Sequence, residues 1–284
     1  MGGTLYGYAI DSDLPLGRLR TGRAPRGTLT VRNAIAPLLA RRGTLVRYDR
    51  DLWALARTDD GLTIWCPGTG VYHAAPASGI VDVEPDERYD GLLEHRLTTL
   101  VLPLLLAERG DLALHAAVVG ADGRAVAFCG ASMRGKSTLA AELSARGHAL
   151  LGDDSAVLTF ADDAFVAWPG PVGSRLRDPG EMILRRLVHD DRGQADVDAL
   201  PLAAVVVLGE RGGREPRLAR LEPVRAATEL YAHAPQADGT AIARTFALSA
   251  RLVERVPVFE GFMPDDLARA GEHAEALLMT ALRG

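Results

Sequence analysis

Hydrophobic and polar positions along this chain of 284 residues change their rhythm near residue 110. Before that point, short β-rich runs alternate with Gly, Pro and Asp: Leu5–Ile10, Thr28–Arg32, Thr44–Tyr48, Leu52–Ala56, Leu62–Cys66, Val71–Ala74 and Ile80–Val83. Such punctuation predicts a small antiparallel, β-rich domain over residues 1–110. Its last part, Tyr89–Arg109, reads as a largely apolar linking helix that Gly110 ends and Pro103 kinks. From Asp111 the order becomes strand, turn, strand, loop, helix, strand, which predicts an α/β domain over residues 111–284. Within it, Pro169–Pro179 reads as loop, Asp190–Asp198 as an acidic polar stretch, and Leu202–Leu208 as a buried strand. An amphipathic helix from about Pro264 to Leu282 closes the chain.

Composition narrows the function classes. Hydrophobic residues make up 48%, enough for a substantial core. The apolar run Leu97–Ala107 contains Pro103 and two threonines and falls far short of the roughly 18 residues a spanning helix needs. No membrane partner is expected. The start, Met-Gly-Gly-Thr-Leu-Tyr, has no secretory pattern, so the expectation is a cytoplasmic protein. Two cysteines, Cys66 and Cys129, exclude a disulfide framework, and the seven scattered histidines give no zinc spacing. The net charge is −5, and residues 1–110 balance 13 Arg against 13 acidic residues, which argues against a nucleic-acid partner. Eight arginines and no carboxylate lie between Asp13 and Asp49. That run reads as a solvated face, with a docking face for an acidic peptide as the alternative.

One count points to chemistry. Of the 32 cationic residues, 31 are Arg and one, Lys136, is Lys. Lys136 therefore marks a place where a wide planar guanidinium will not serve. It sits in Gly130-Ala131-Ser132-Met133-Arg134-Gly135-Lys136-Ser137-Thr138, between the apolar run Ala125–Cys129 and a helical run ended by Gly147. This is G-x-x-x-x-G-K-[ST] with strand before and helix after, the context in which backbone N–H groups cradle phosphates. Lys136 would reach the β and γ phosphates and the Ser137 hydroxyl would ligate Mg²⁺. Met133 carries a warning, because an L-residue there is strained if the loop demands positive φ.

Two further features converge on the loop. His148–Gly152 reads as a short strand leading to Asp153-Asp154, so two carboxylates sit at a strand end in an α/β domain, the edge where ligands bind. Such a pair can divide labour between holding Mg²⁺ and accepting a proton, or can simply begin a turn. His115 lies on the strand Ala113–Val119, which Asp122-Gly123 joins as a hairpin to the loop's own strand. Pairing Val119 with Arg124 sets His115 opposite Phe128, near the bound phosphates. A core histidine is the bland alternative.

Leu114-His115-Ala116, Gly130–Ser137, Arg146-Gly147-His148 and Asp153-Asp154 resemble, in order and spacing, the catalytic domain of the HPr kinase/phosphorylase family. A looser resemblance, carried by Tyr6-Gly7-Tyr8, Leu14-Pro15-Leu16, Arg109-Gly110, Pro201-Leu202 and Val256-Pro257-Val258, is to a subgroup of HPr kinase-like proteins that phosphorylate a serine of lasso peptide precursors. The resemblance implies an α/β P-loop fold shared with phosphoenolpyruvate carboxykinase, use of ATP and Mg²⁺, a peptide or small-protein substrate, and self-association. By position, it implies nucleotide binding by Gly130, Ser132, Met133, Arg134, Gly135, Lys136, Ser137 and Thr138. It gives Ser137 and Asp154 to Mg²⁺, makes Asp153 the catalytic base and places His115 beside that base.

The sequence also departs from the family. Met133 stands where a glycine is usual, and the Glu-Ile-Arg-Gly-like signature segment is missing, so HPr itself is not the expected substrate. Arg175, Arg177 or Glu181 occupies that region, and a guanidinium there would stabilise a transferring phosphoryl group. Two competing readings share these residues: a nucleotide-sensing regulatory module and a small-molecule hydroxyl kinase.

Overall fold

The computed structural model describes residues 3–23, 25–41, 43–49, 53–86, 92–171, 174–177, 185–188, 198–235 and 239–284. Eight strands come first: β1 (Gly3–Leu5), β2 (Tyr8–Ser12), β3 (Thr28–Asn33), β4 (Thr44–Asp49), β5 (Trp53–Arg57), β6 (Leu62–Cys66), β7 (Gly70–Ala75) and β8 (Ile80–Pro85). They form one sheet in the order β1-β2-β3-β8-β7-β6-β5-β4. The sheet is mixed rather than antiparallel throughout, because β3 runs parallel to both β2 and β8. The predicted strand Leu5–Ile10 is instead a hairpin. Tyr6 (φ 53°) and Gly7 (φ 80°) both take left-handed conformations, the geometry of a tight two-residue turn. The cost at Tyr6 is offset by full burial of its ring and by its hydroxyl, which donates to the Thr98 carbonyl at 2.8 Å.

The linking helix lies against this sheet, with Leu97, Val101, Leu102, Leu104 and Leu105 in the shared core. It runs as α1 (Leu93–Arg96), a π segment (Leu97–Val101) and α2 (Leu102–Glu108), and Gly110 (φ 104°) follows its end. The π segment lies just before Pro103, where the sequence predicts a kink. Pro103 has no N–H to give the preceding turn, and the Leu102 N–H reaches five residues back to Leu97.

The second sheet contains β9 (Leu112–Leu114), β10 (Ala116–Ala121), β11 (Arg124–Cys129), β12 (Ala149–Gly152), β13 (Ala156–Ala161) and β14 (Ala164–Trp168). A separate pair is formed by β15 (Ser174–Arg177), which lies within the expected loop Pro169–Pro179, and β16 (Arg185–Val188). The sheet is completed by β17 (Leu200–Leu208), β18 (Arg217–Arg220) and β19 (Val258–Phe262). The all-apolar β17 is its spine, parallel to β11 on one side and β19 on the other. Four helices cover the sheet: α3 (Lys136–Ala145), α4 (Pro223–Ala232), α5 (Gly239–Arg255) and α6 (Ala270–Arg283), the last starting six residues later than its apolar pattern predicts. Alternation along β11 decides which face packs where. Val126 and Phe128 meet Leu139 and Leu143 of α3 and Leu277 and Leu278 of α6, whereas Ala125, Ala127 and Cys129 meet Ala226 and Leu230 of α4 and Leu252 of α5. The result is a mixed α/β structure. Among the described residues no helix is long and apolar enough to cross a membrane.

The arginine run is divided between core and surface. Arg18 and Arg20 are buried, Arg26 pairs with Asp111 at 2.6 Å, Arg32 pairs with Asp82, and Arg41 pairs with Asp60 and Asp82. Arg42 lies outside the described residues. Arg20 joins the two sheets: its Nε donates to the Gly170 carbonyl at 2.7 Å and its Nη2 to Leu150 and Leu151 at 2.6 and 3.1 Å. Four of the eight side chains, those of Arg20, Arg26, Arg32 and Arg41, thus meet carboxylates or carbonyls of the same chain, while Arg23 and Arg41 stay exposed, as the solvated reading expects.

Candidate active site

The loop Gly130–Gly135 leaves β11 and enters α3. Gly135 (φ 90°) is the residue before the helix, and its left-handed backbone is why glycine stands there. The first N–H groups of α3 have no earlier turn to accept them and point into the loop's concavity, where the helix dipole favours an anion. Met133 does take positive φ, at 70°, with its side chain 76% exposed to solvent. A methionine in that conformation carries strain of about 1 kcal/mol.

Lys136 is buried, and its Nζ donates to the carbonyls of Gly130 at 2.7 Å and Ala131 at 3.2 Å. The ammonium is therefore held across the mouth of its own loop. Ser132 and Thr138 face solvent, and the Arg134 guanidinium reaches Glu210 at 3.4 Å.

The loop's edge gathers the other predicted residues. The Ser137 hydroxyl donates to Asp153 Oδ1 at 3.1 Å, and the same oxygen accepts the Asp154 N–H at 3.0 Å. Sequence reading paired Ser137 with Asp154 for the metal, whereas the serine hydroxyl meets the nearly buried Asp153. Asp154 (φ 68°) turns the other way, with Oδ2 lying 3.8 Å from His95 Nε2 on the linking helix.

His115 is close to this pair, though not in the expected register. The two-residue turn at Asp122 (φ 51°) and Gly123 (φ 70°) closes with Ala121 opposite Arg124, so Ala117 rather than His115 faces Phe128. His115 falls beyond the paired part of β10, at the break where β9 pairs with β13 and β10 with β11 and β12. There its N–H finds the His233 carbonyl at 2.7 Å, and its Nδ1–H donates to the Asp154 carbonyl at 2.9 Å. That bond goes to the backbone of the second aspartate.

Two residues at the site were not legible as site residues. His233 follows α4 and lies near Lys136 and His115. Burial, followed by those two neighbours, pushes its imidazole down to about 4, so the ring is neutral near pH 7. No motif signals it. Arg211 lies in the loop after β17, with Nη2 2.7 Å from where a Cβ on Gly135 would sit. Its place could have been read: β17 is parallel to β11, so the two loops leave the sheet at the same edge. Glu181 lies outside the described residues, as do the side chains of Arg175 and Arg177. Cys129, behind the loop, is an inert thiol, pushed up to about 12 chiefly by burial.

The donor set suits a nucleoside triphosphate and a hard divalent cation. The N-terminus of α3, which no side chain caps, an αL glycine and the two cations Lys136 and Arg211 lie together and could hold phosphate oxygens. One hydroxyl and one carboxylate, without the larger cluster of His, Cys, Asp or Glu that an all-protein metal cage needs among the described residues, match the way Mg²⁺ is bound with phosphates and waters.

No known family's model matches the chain, and no curated protein matches it in sequence. Among solved structures, the chain is similar to the HPr(Ser) kinase/phosphatase from Coxiella burnetii, at 17% identity and a TM-score of 0.37, over 59% of this chain and 94% of that one.

Proposed function

We propose that the protein is an ATP- and Mg²⁺-dependent kinase that transfers the γ-phosphoryl group to a hydroxyl, most simply a serine of a peptide or small protein. The observation that carries this reading is the Ser137–Asp153 hydrogen bond at the start of α3, with Asp154 and His115 adjoining. A phosphate-binding loop alone would suit a sensor. A second carboxylate turned away from the first gives the site a proton acceptor as well.

In this reading the loop amides, Lys136 and Arg211 bind the triphosphate, and Ser137 with Asp153 holds Mg²⁺. When bound, Mg²⁺ supplies charge neutralisation at the β and γ phosphates. Asp154 accepts the proton of the acceptor hydroxyl as the oxygen–phosphorus bond to that hydroxyl forms and the bond to the ADP oxygen breaks. His115 fixes the Asp154 backbone through its carbonyl, and Lys136 leaves the Gly130 and Ala131 carbonyls for phosphate oxygens. This assignment exchanges the two aspartate roles that the family resemblance implies, following the serine. That resemblance also suggests the acceptor class, a ribosomally made precursor such as that of a lasso peptide.

The test uses γ-labelled ATP with Mg²⁺ and a degenerate library of serine peptides. Label should enter peptides and not free serine or glucose. Asp154→Asn should keep nucleotide binding and lose transfer by about 10²–10⁴-fold. Transfer at the wild-type rate in that variant refutes the base assignment, and equal labelling of free serine moves the acceptor to small molecules.

A further inference from the structure

Asp154 lies between two different parts of the chain. His115 of the second sheet bonds its carbonyl, and the linking helix presents His95 to its carboxylate. His95 is itself held. Arg18, only 4% exposed in the loop between β2 and β3, donates from Nη1 to His95 Nδ1 at 3.2 Å, and its backbone N–H donates to Glu94 Oε1 at 2.6 Å. A guanidinium has donors only, so His95 Nδ1 must be the bare, accepting nitrogen. The ring proton is therefore on Nε2, the atom that faces Asp154 Oδ2 at 3.8 Å. Arg18 thus selects the tautomer that offers an N–H to the carboxylate. Tyr6 and Arg20 complete the buried surroundings from the first sheet's side, and Asp153 from the second.

We propose that Arg18 and His95 form a clamp from the N-terminal unit that sets the orientation of the Asp154 carboxylate. The first sheet is then part of the transfer site and not only a platform for a substrate. His95 acts as a positioning residue, since it works through Asp154. The left-handed backbone of Asp154 is consistent with this role. A residue in that conformation persists where its surroundings over-determine it, and here one histidine bonds its carbonyl and another faces its carboxylate. The proposal rests on the kinase reading for its purpose but not for its geometry, and the two are tested separately.

The geometry is read by long-range ¹H–¹⁵N correlation on the full chain with labelled histidine. His95 should appear as the Nε2–H tautomer in the wild type. Arg18→Met, which removes the donor on Nδ1, should shift it toward a mixture of tautomers, and Asp154→Asn should move the Nε2 resonance. An Nδ1–H tautomer in the wild type, or spectra indifferent to both substitutions, overturns the clamp even if the protein never meets ATP.

Its purpose is read by transfer of label from saturating γ-labelled Mg-ATP to the serine-peptide library. His95→Phe should lower kcat at least tenfold with KM for ATP within twofold. His95→Gln, which restores an N–H near the position of Nε2, should recover a large part of that loss. Unchanged kcat in a folded His95→Phe protein overturns the proposal. Absence of Mg-ATP binding by the wild type refutes the kinase reading instead and leaves the tautomer result to decide the clamp.

Discussion

Arg20 at the junction of the two sheets and Lys136 at the start of α3 are both cations, 6% and 5% exposed, and both donate to backbone carbonyls. They differ in where those carbonyls come from. Arg20 bonds Leu150, Leu151 and Gly170, between 130 and 150 residues away, and its planar fork fixes several acceptors at once. Lys136 bonds Gly130 and Ala131, six and five residues back, through a single rotatable ammonium. Displacing the carbonyls of Arg20 would mean parting the two sheets. Displacing those of Lys136 requires only a phosphate oxygen to take their place. The same interaction is thus a rivet in one region and a latch in the other, and the sequence distance of the partners separates the two. A chain that writes 31 of its 32 cations as Arg keeps Lys at the latch.

The contrast can be broken in three places. Arg20→Met removes three buried hydrogen bonds, leaving the Leu151 carbonyl only the Gly170 N–H, which should cost about 3 kcal/mol and lower the thermal midpoint by roughly 6–12 °C. A drop of under about 2 °C in a thermal scan would deny Arg20 its role. Lys136→Ala should leave the midpoint without ligand nearly unchanged and abolish the increase that Mg-ATP gives the wild type, about 2.7 kcal/mol at 100 times Kd. If instead the unliganded protein is strongly destabilised, Lys136 is a rivet too. The smallest effect is expected at Met133. Replacing it by Gly relieves about 1 kcal/mol of left-handed strain, partly cancelled by the greater freedom of the unfolded chain. The midpoint should rise by a degree or two and Mg-ATP should bind up to a few-fold more tightly by calorimetry. No change in either would mean that the loop tolerates the methionine without cost.

What could be read from the sequence follows the range of the interactions. Gly130–Ser137 was legible because strand, glycine turn and helix are contiguous, and Asp153-Asp154 because it follows the next strand. His115 was legible as a neighbour, but its register was misjudged by two residues, since the tight turn at Asp122-Gly123 leaves Ala121 and not Val119 opposite Arg124. The hairpin inside Leu5–Ile10 was hidden because nothing local announces a tyrosine at positive φ. The reason for it lies at Thr98, 92 residues on. Arg18, Arg20 and His95 were illegible for the same cause. Their partners are Glu94, Gly170 and Asp154, and a run of arginines with distant partners reads locally as solvated charge.

The π segment in the linking helix has a geometric effect beyond accommodating Pro103. Each residue of an α-helix advances about 100° around its axis, and a turn closed five residues apart holds nearly one residue more than its neighbours. Leu97–Val101 therefore works as a phase shifter between the two halves of the helix. The later half keeps Leu104, Leu105 and Leu106 in the core, while the earlier half is rotated so that Glu94 and His95 meet Arg18 and Asp154. The azimuth of the chemical groups is uncoupled from the azimuth of the packing groups along a single rod.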